Sequence, residues 1–205
     1  MIISFGTLIT MHFDLENIYH IYNRGNDKQT VFFNRDNYLY FLKKLRKYIL
    51  PHCEILDYCL MPNHFHLLVY TDERVDEELS HNSITKNKLS EGVRLLLSSY
   101  AKGINIQEGK TGNLFQQKTK AKCVTGDISY ADVCFHYIHQ NPKLARLVSK
   151  MEDWEFSSFC DYAGLRNGTL SNQELAYRLL GLNKNSFYQD SYNAVISDDS
   201  IFNIF

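Results

Sequence analysis

The sequence predicts an α+β domain in which helices pack on one face of an antiparallel sheet. Segments that alternate apolar and polar residues, typical of strands, are interleaved with segments whose apolar residues recur at helical spacing. Pro62 and Asn63 form a turn signal between two strand-like segments, so those two strands should pair as a hairpin. With 205 residues, 44% of them hydrophobic, the chain can bury the core of one domain.

The first half of the chain carries one helix among three strands. Residues 17–24 alternate as a strand does. Asn34 then begins a helix, whose apolar residues recur at helical spacing as far as Pro51. Residues 54–61 and 64–70, on either side of the turn, have the apolar and aromatic composition of strands.

The second half predicts a helix at residues 86–102 and a strand at residues 114–124 with three lysines on one face. Another helix should cover residues 129–141, because the residue before Pro142 is disfavoured in the helical conformation. Two weaker helical patterns follow at residues 172–180 and 184–192.

His64 and His66 are the most informative residues of the predicted strands. Alternate side chains of a strand share a face, so both imidazoles should project together while Phe65 and Leu67 bury on the opposite face. Two imidazoles on a rigid strand can hold one metal ion. Two histidines in a chain with 8 can also share a strand face without binding a metal.

Tyr137 and Asn141 lie four residues apart on the predicted helix, a spacing that places them on one helix face. A phenol and an amide oxygen could therefore approach the same ion from one side. The ordinary alternative is packing, since a helical tyrosine commonly buries its ring and leaves its hydroxyl in water.

The formal net charge of −1 is not typical of a DNA-binding domain. The charge is unevenly distributed, however: residues 85–122 carry eight basic and two acidic residues, a net +6, which leaves −7 for the rest of the chain. Such segregation predicts one cationic face for phosphate contact. A plain solvated surface would give the same pattern.

The cysteine pattern and the hydropathy of the sequence indicate the cellular compartment. The five cysteines contain no Cys-x-x-Cys pair, which argues against a thiolate zinc site or a disulfide framework. No apolar run approaches the roughly 20 residues that span a bilayer, and the first residues lack the basic start of a secretion signal. We therefore expect a cytoplasmic protein with no membrane association.

Several segments, in their order along the chain, resemble the single-tyrosine transposases with a histidine-hydrophobe-histidine motif. The resemblance is greatest to the branch associated with repetitive extragenic palindromes. The segments that carry it are Tyr19 to Gly25, Met61 to Leu68, Gly112 to Gln116, Tyr137 to Pro142 and Trp154 to Phe159.

The resemblance implies a ferredoxin-like sheet for residues 1–165. Residues 166–205 fall outside the resemblance, and their pattern predicts a helical extension and tail. It makes Tyr137 the nucleophile and His64, His66 and Asn141 the metal ligands. Many family members carry glutamine at the position of Asn141. The implied ion is Mg²⁺ or Mn²⁺, although imidazole ligands alone would also suit zinc, iron or nickel.

The implied reaction joins Tyr137 to the 5′ end of cleaved DNA and leaves a free 3′ hydroxyl that can reverse the reaction. The implied partner is single-stranded DNA beside a hairpin. DNA contacts are expected from three groups of residues, the last of them on the basic strand: Asn23, Arg24 and Gly25; Phe115, as a base-stacking ring; and Lys118, Lys120 and Lys122.

Two other functions stay open at this point: a nickase of the relaxase or replication-initiator type, and a noncatalytic nucleic-acid-binding protein on the same fold. The sequence does not decide between monomer and homodimer, and it does not show whether the active site forms within one subunit. It also leaves open the recognised sequence, the role of the tail, and whether the protein is mobile or serves a host function.

Overall fold

Four antiparallel strands form the central sheet, in the spatial order β2-β3-β1-β6. The computed structural model describes the backbone of residues 11–75, 78–81, 84–126 and 128–196, and the side chains of these residues except 78–81, 84–86, 128 and 129. The strands are β1 (Ile18–Arg24), β2 (Glu54–Met61), β3 (His64–Tyr70), β4 (Glu78–His81), β5 (Ile84–Asn87) and β6 (Lys120–Cys123). The helices are α1 (Arg35–Tyr48), α2 (Lys88–Glu108), α3 (Ile128–Leu144), α4 (Phe159–Tyr162), α5 (Gln173–Leu180) and α6 (Phe187–Asn193).

The sheet has ferredoxin-like topology. The chain runs β1-α1-β2-β3-α2-β6, and β1 lies in the sheet between β3 and β6. Strands β4 and β5 form a separate two-stranded hairpin ahead of α2. The predicted α+β class and ferredoxin-like sheet are confirmed, as is the hairpin of β2 and β3 around Pro62 and Asn63.

Helices cover both faces of the sheet, whereas the sequence predicted helices on one face. On the first face, α1 and α2 pack over Ile21, Phe65 and Leu67. On the second face, α3, α5 and α6 pack over Cys59 and Leu68. The hydrophobic pattern indicated that helices pack on one face of the sheet only. Whether helices also cover the second face depends on which elements return to the sheet after β6, which is a non-local property.

A β-bulge at Leu56 changes the direction of side chains in β2. The β2–β3 register shifts between Ile55 and Asp57, which leaves Leu56 as an extra residue. Leu56 packs in the cluster beneath α3, and the adjacent Asp57 reaches His139 of that helix. The bulge thus lets two consecutive residues of β2 contact the α3 side of the sheet.

Three predicted boundaries are wrong. Helix α2 continues six residues beyond the predicted end, through Gly103, to a left-handed cap at Gly109 with φ +61°. Strand β6 begins at Lys120, because the preceding residues form a loop that is tied down by side-chain hydrogen bonds. Helix α3 continues through Pro142 to Leu144.

Pro142 is tolerated because it lies in the last turn of α3. Its missing N–H removes one hydrogen bond to the preceding turn. The following turn is still closed, since Ala145 N donates to Asn141 O at 2.9 Å and Leu147 N donates to Pro142 O at 2.9 Å. Asn141 is therefore inside the helix, one turn beyond Tyr137.

The two predicted carboxy-terminal helices are confirmed as α5 and α6. Asn172 caps α5 by accepting from Leu175 N at 3.1 Å, and Gly181 ends the helix with φ +67°. Gln140 of α3 donates to the carbonyls of Ser191 and Ala194, so α6 is attached to the helix that carries Tyr137. Residues 1–10 and 197–205, which belong to the predicted domain and tail, lie outside the described residues. Among the helices described, none has the length and hydrophobicity to cross a bilayer.

Candidate functional site

His64 and His66 of β3 project from the sheet face that α3 covers. Their ring centroids lie 5.0 Å apart with the ring planes at 89°. Between and beyond them, Phe65 and Leu67 are fully buried on the opposite face. The predicted alternation along this strand is confirmed, and it anchors the imidazole pair on a core of apolar side chains.

Tyr137 and Asn141 reach the same place from α3. The phenol ring of Tyr137 meets the ring of His66 edge to face, with the centroids 5.7 Å apart. The side chain of Asn141 lies close enough to both His64 and Tyr137 to shift their pKa values. The structure thus brings together all four residues that the sequence selected from two segments about seventy residues apart.

Burial sets the protonation of the histidine pair. It lowers the pKa of His64 to about 4, with a further lowering from the positive charge of Arg24. It also lowers the pKa of His66 well below its ordinary value, assisted by His20 and His64. Both imidazoles are therefore neutral at pH 7, which is the form that coordinates a metal ion.

Burial has the opposite effect on the tyrosine. Tyr137 is 6% exposed. Removal of its phenol from water raises the pKa to about 12, against smaller lowering effects of Asn141 and Arg24. A phenol with this pKa is protonated at neutral pH and is a weak nucleophile until its environment changes.

Basic side chains lie beside this cluster. Arg24, at the exposed end of β1, pairs in register with His64 across the β1–β3 ladder. Lys120 and Lys122 of β6 share one face of their strand, opposite Tyr22 and His20 of β1. Lys122 Nζ donates to the hydroxyl of Tyr130 on α3 at 2.9 Å. These cations lie at the margin of the site, where a polyanionic chain would approach.

Two other predicted DNA contacts, Asn23 and Phe115, have buried side chains. Asn23 is 3% exposed, and its amide donates to Gln116 O and to Thr119 Oγ1. Phe115 is 7% exposed and packs against Phe65 and Tyr100, so its ring lies in the core and not on the surface where a base-stacking ring was expected. Both residues hold the loop ahead of β6 in place.

Gly25 and Lys118 also differ from a simple contact surface. Gly25 is buried, and a Cβ there would lie 2.1 Å from the carbonyl oxygen of Gln29, so close backbone approach accounts for the glycine. Its N–H donates to Asn63 O at 2.7 Å. Lys118 is exposed, but it belongs to the loop and not to the strand of Lys120 and Lys122.

Sequence reasoning missed the residues that support the four predicted site residues. His20 Nε2 lies 2.8 Å from His66 Nδ1, and Asn63 Oδ1 lies 2.6 Å from His64 Nδ1. Each histidine of β3 is thus held through its Nδ1 atom. The alternation of Tyr19-His20-Ile21-Tyr22 placed His20 on a strand face, but only the β1–β3 register shows that this face is shared with His66.

A buried polar pair fixes α3 beneath the site. His139 Nε2 lies 2.9 Å from Asp57 Oδ1, and both side chains are fully buried. Ser158 Oγ lies within hydrogen-bonding distance of both groups and accepts from Tyr58 N at 3.0 Å. Because His139 is two residues from Tyr137, this network sets where the phenol lies relative to β3.

The donor set suits a divalent ion. Two imidazoles that burial keeps neutral and the amide of Asn141, which is 6% exposed, offer two nitrogens and an oxygen on adjacent elements. A shell of this kind leaves positions for phosphate oxygens and water. His64, His66 and Asn141 are therefore the residues that would hold an ion here.

Comparison with known proteins supports the fold. No family model matches the sequence, and no curated protein matches it at the sequence level. Among solved structures, the chain is similar to a REP-associated tyrosine transposase bound to a REP hairpin, with a TM-score of 0.55 and 14% sequence identity. The match covers 79% of this chain and 92% of that one, so the two share a fold.

Proposed function

We propose that this protein is a metal-dependent tyrosine transposase that cleaves and rejoins single-stranded DNA beside hairpin elements. One observation carries the proposal: Tyr137, Asn141 and the imidazoles of His64 and His66 converge on one face of the sheet. The shared fold with a hairpin-bound transposase supports DNA as the substrate.

The proposed reaction is a transesterification at one phosphodiester. The phenolic oxygen of Tyr137 forms a bond to phosphorus while the bond from phosphorus to the 3′ oxygen breaks. The phenolic proton is lost as the nucleophile forms, and the departing 3′ oxygen takes up a proton to become a hydroxyl. The 5′ phosphate remains on the tyrosine, so the reverse attack by a 3′ hydroxyl reseals DNA without a nucleotide cofactor.

The side chains of the site have different roles in this reaction. His64, His66 and Asn141 would hold Mg²⁺ or Mn²⁺, which when bound acts as a Lewis acid on the non-bridging phosphate oxygens. Arg24 supplies a fixed positive charge, which opposes the increase that burial causes in the pKa of Tyr137 and would favour the phenolate. The packing of α3 on β2 and β3 orients the phenol toward the imidazoles.

Burial of Tyr137 adds a requirement. A phenol that is 6% exposed must become accessible to the phosphate before it can attack. Because Lys120 and Arg24 are exposed beside the site, the backbone of the DNA would first engage these cations. The reactive geometry is therefore completed when the substrate binds and is not present in the free protein.

The test is formation of a covalent protein–DNA adduct. Hairpin-bearing single-stranded oligonucleotides are incubated with the protein and Mn²⁺, and the products are resolved on a denaturing gel. Wild-type protein should form an adduct that chelation prevents. Tyr137→Phe should bind the oligonucleotide and form none, and His64→Ala should form no adduct even when Mn²⁺ is present.

Tyr130→Phe is the matched control, because Tyr130 lies on the same helix and its hydroxyl contacts Lys122. This variant should still form the adduct. Loss of the adduct in Tyr130→Phe with retention in Tyr137→Phe would mean that the nucleophile is misassigned. Binding without any adduct in the wild type would favour the noncatalytic nucleic-acid-binding function.

A further inference from the structure

A hydrogen bond joins the imidazoles of His20 and His66 across two strands. His20 Nε2 and His66 Nδ1 are 2.8 Å apart, and both residues are fully buried. The two rings are nearly parallel, with centroids 5.1 Å apart and an interplanar angle of 16°. His20 is not one of the four residues that the sequence selected as nucleophile or metal ligands.

The register of β1 and β3 produces this contact. His20 pairs with Leu68, and Tyr22 pairs with His66, so His20 and His66 are diagonal neighbours on one sheet face. The ring of Tyr22 stacks on His20 at 4.7 Å and lies 5.9 Å from His66. The stack and the surrounding sheet restrict how either imidazole can rotate.

The hydrogen bond has a chemical consequence for His66. One proton is shared between His20 Nε2 and His66 Nδ1, and the partner of one ring nitrogen decides which tautomer a histidine adopts. Because Nδ1 of His66 is engaged by His20, an ion can be coordinated only through Nε2. Coordination through Nε2 requires the proton on Nδ1, so His66 donates and His20 accepts.

We propose that His20 is a positioning residue, which fixes the tautomer and ring orientation of His66 for a divalent ion. The inference rests on the proposed function, since His66 must be a metal ligand for its tautomer to matter. Groups that orient a metal-binding histidine in this way typically contribute about 10-fold to 100-fold to metal affinity.

The first test measures the tautomer of His66 in the ion-free protein. Long-range ¹H–¹⁵N NMR spectra distinguish Nδ1–H from Nε2–H, with His66→Gln used to assign the signal. Wild-type protein should show the Nδ1–H form. An Nε2–H form in the wild type would overturn the inference, and this measurement requires no variant of His20 to fold.

The second test compares Mn²⁺ affinity by calorimetry in two variants of His20. His20→Phe keeps a ring against Tyr22 but has no acceptor, and it should bind Mn²⁺ about 10-fold to 100-fold more weakly. His20→Gln offers an amide oxygen in place of the imidazole nitrogen and should recover most of the affinity. Leu68→Ala, a buried change in the paired position, shows how much affinity is lost through destabilisation alone.

The outcomes separate the two proposals. Tight Mn²⁺ binding by His20→Phe, or an equal loss in Leu68→Ala, would remove the role of His20 while leaving the nuclease proposal intact. A wild-type protein with the Nδ1–H tautomer that binds no Mn²⁺ and forms no DNA adduct would instead overturn the nuclease proposal.

Discussion

Replacing Asp57 with alanine should destabilise the fold strongly, because it removes the partner of a buried imidazole. Asp57 and His139 are fully buried and their polar atoms are 2.9 Å apart. Breaking a buried pair of this kind by deleting one partner costs about 3–5 kcal/mol. For a chain of this size each kcal/mol lowers the Tm by about 2–4 °C, so a decrease of about 6–20 °C is expected.

Differential scanning calorimetry of Asp57→Ala measures this loss directly, and urea unfolding checks that the m-value is unchanged. Glu155→Gln is the matched control, because it breaks the exposed ion pair of Glu155 with Arg35. An exposed pair contributes less than about 1 kcal/mol, so the Tm should change by a few degrees at most.

A double-mutant comparison tests whether the cost comes from the orphaned partner. The double replacement Asp57→Leu with His139→Leu removes both polar groups and should be less destabilising than Asp57→Ala, since no buried group then lacks its partner. A Tm for Asp57→Ala within about 2 °C of the wild type would refute the role assigned to this network.

Three further predictions follow from the site and from the loop beside it. The pKa of His64 is about 4 in the folded protein and 6.5 when unperturbed, so the unfolded state binds the proton more tightly between these pH values. The free energy of unfolding should therefore fall by about 3 kcal/mol because of this residue as the pH drops from 7 to 4. Urea unfolding of His64→Gln should show a shallower fall over the same pH range. The rate of adduct formation should rise about tenfold per pH unit from pH 6.5 to 8.5, since the phenolate fraction of Tyr137 grows in that proportion below its pKa; a flat gel-based rate profile would contradict phenolate attack. Gly25→Ala should lower stability by about 1–3 kcal/mol, because its Cβ would lie 2.1 Å from Gln29 O, and an unchanged Tm would show that the turn can relax.

Local periodicity was sufficient to find the pairs of residues that share one element. The period of two along β3 placed His64 with His66, and the spacing of four along α3 placed Tyr137 with Asn141. Both inferences need only the geometry of a single strand or helix. That the two pairs meet depends on how α3 returns to the sheet, which the family resemblance implied and the spacing did not.

Contacts that depend on register were not predictable from the pattern. The bond between His20 and His66 requires the β1–β3 register, and the bond between Asp57 and His139 requires the bulge at Leu56. A one-residue change of register would move either side chain to the other face of the sheet. No local signal in the sequence fixes these registers.

Two expectations differ from the structure because tertiary packing overrides a local rule. Pro142 was expected to stop α3, but the helix continues because the lost hydrogen bond falls in its last turn. Phe115 was expected to stack on bases as an aromatic residue, with packing in the core as the alternative. The residues around it form a loop, and its ring fills the core beside Phe65 and Tyr100.

The most direct test of the convergence of phenol and imidazoles is peptide mapping of the protein–DNA adduct by mass spectrometry. After nuclease digestion of the bound DNA, a nucleotide phosphate should remain on the peptide that contains Tyr137, only when Mn²⁺ was present, and not in the His64→Ala variant. A modified peptide that carries another tyrosine, or a modification at Tyr137 that persists in His64→Ala with chelator, would contradict the proposed site.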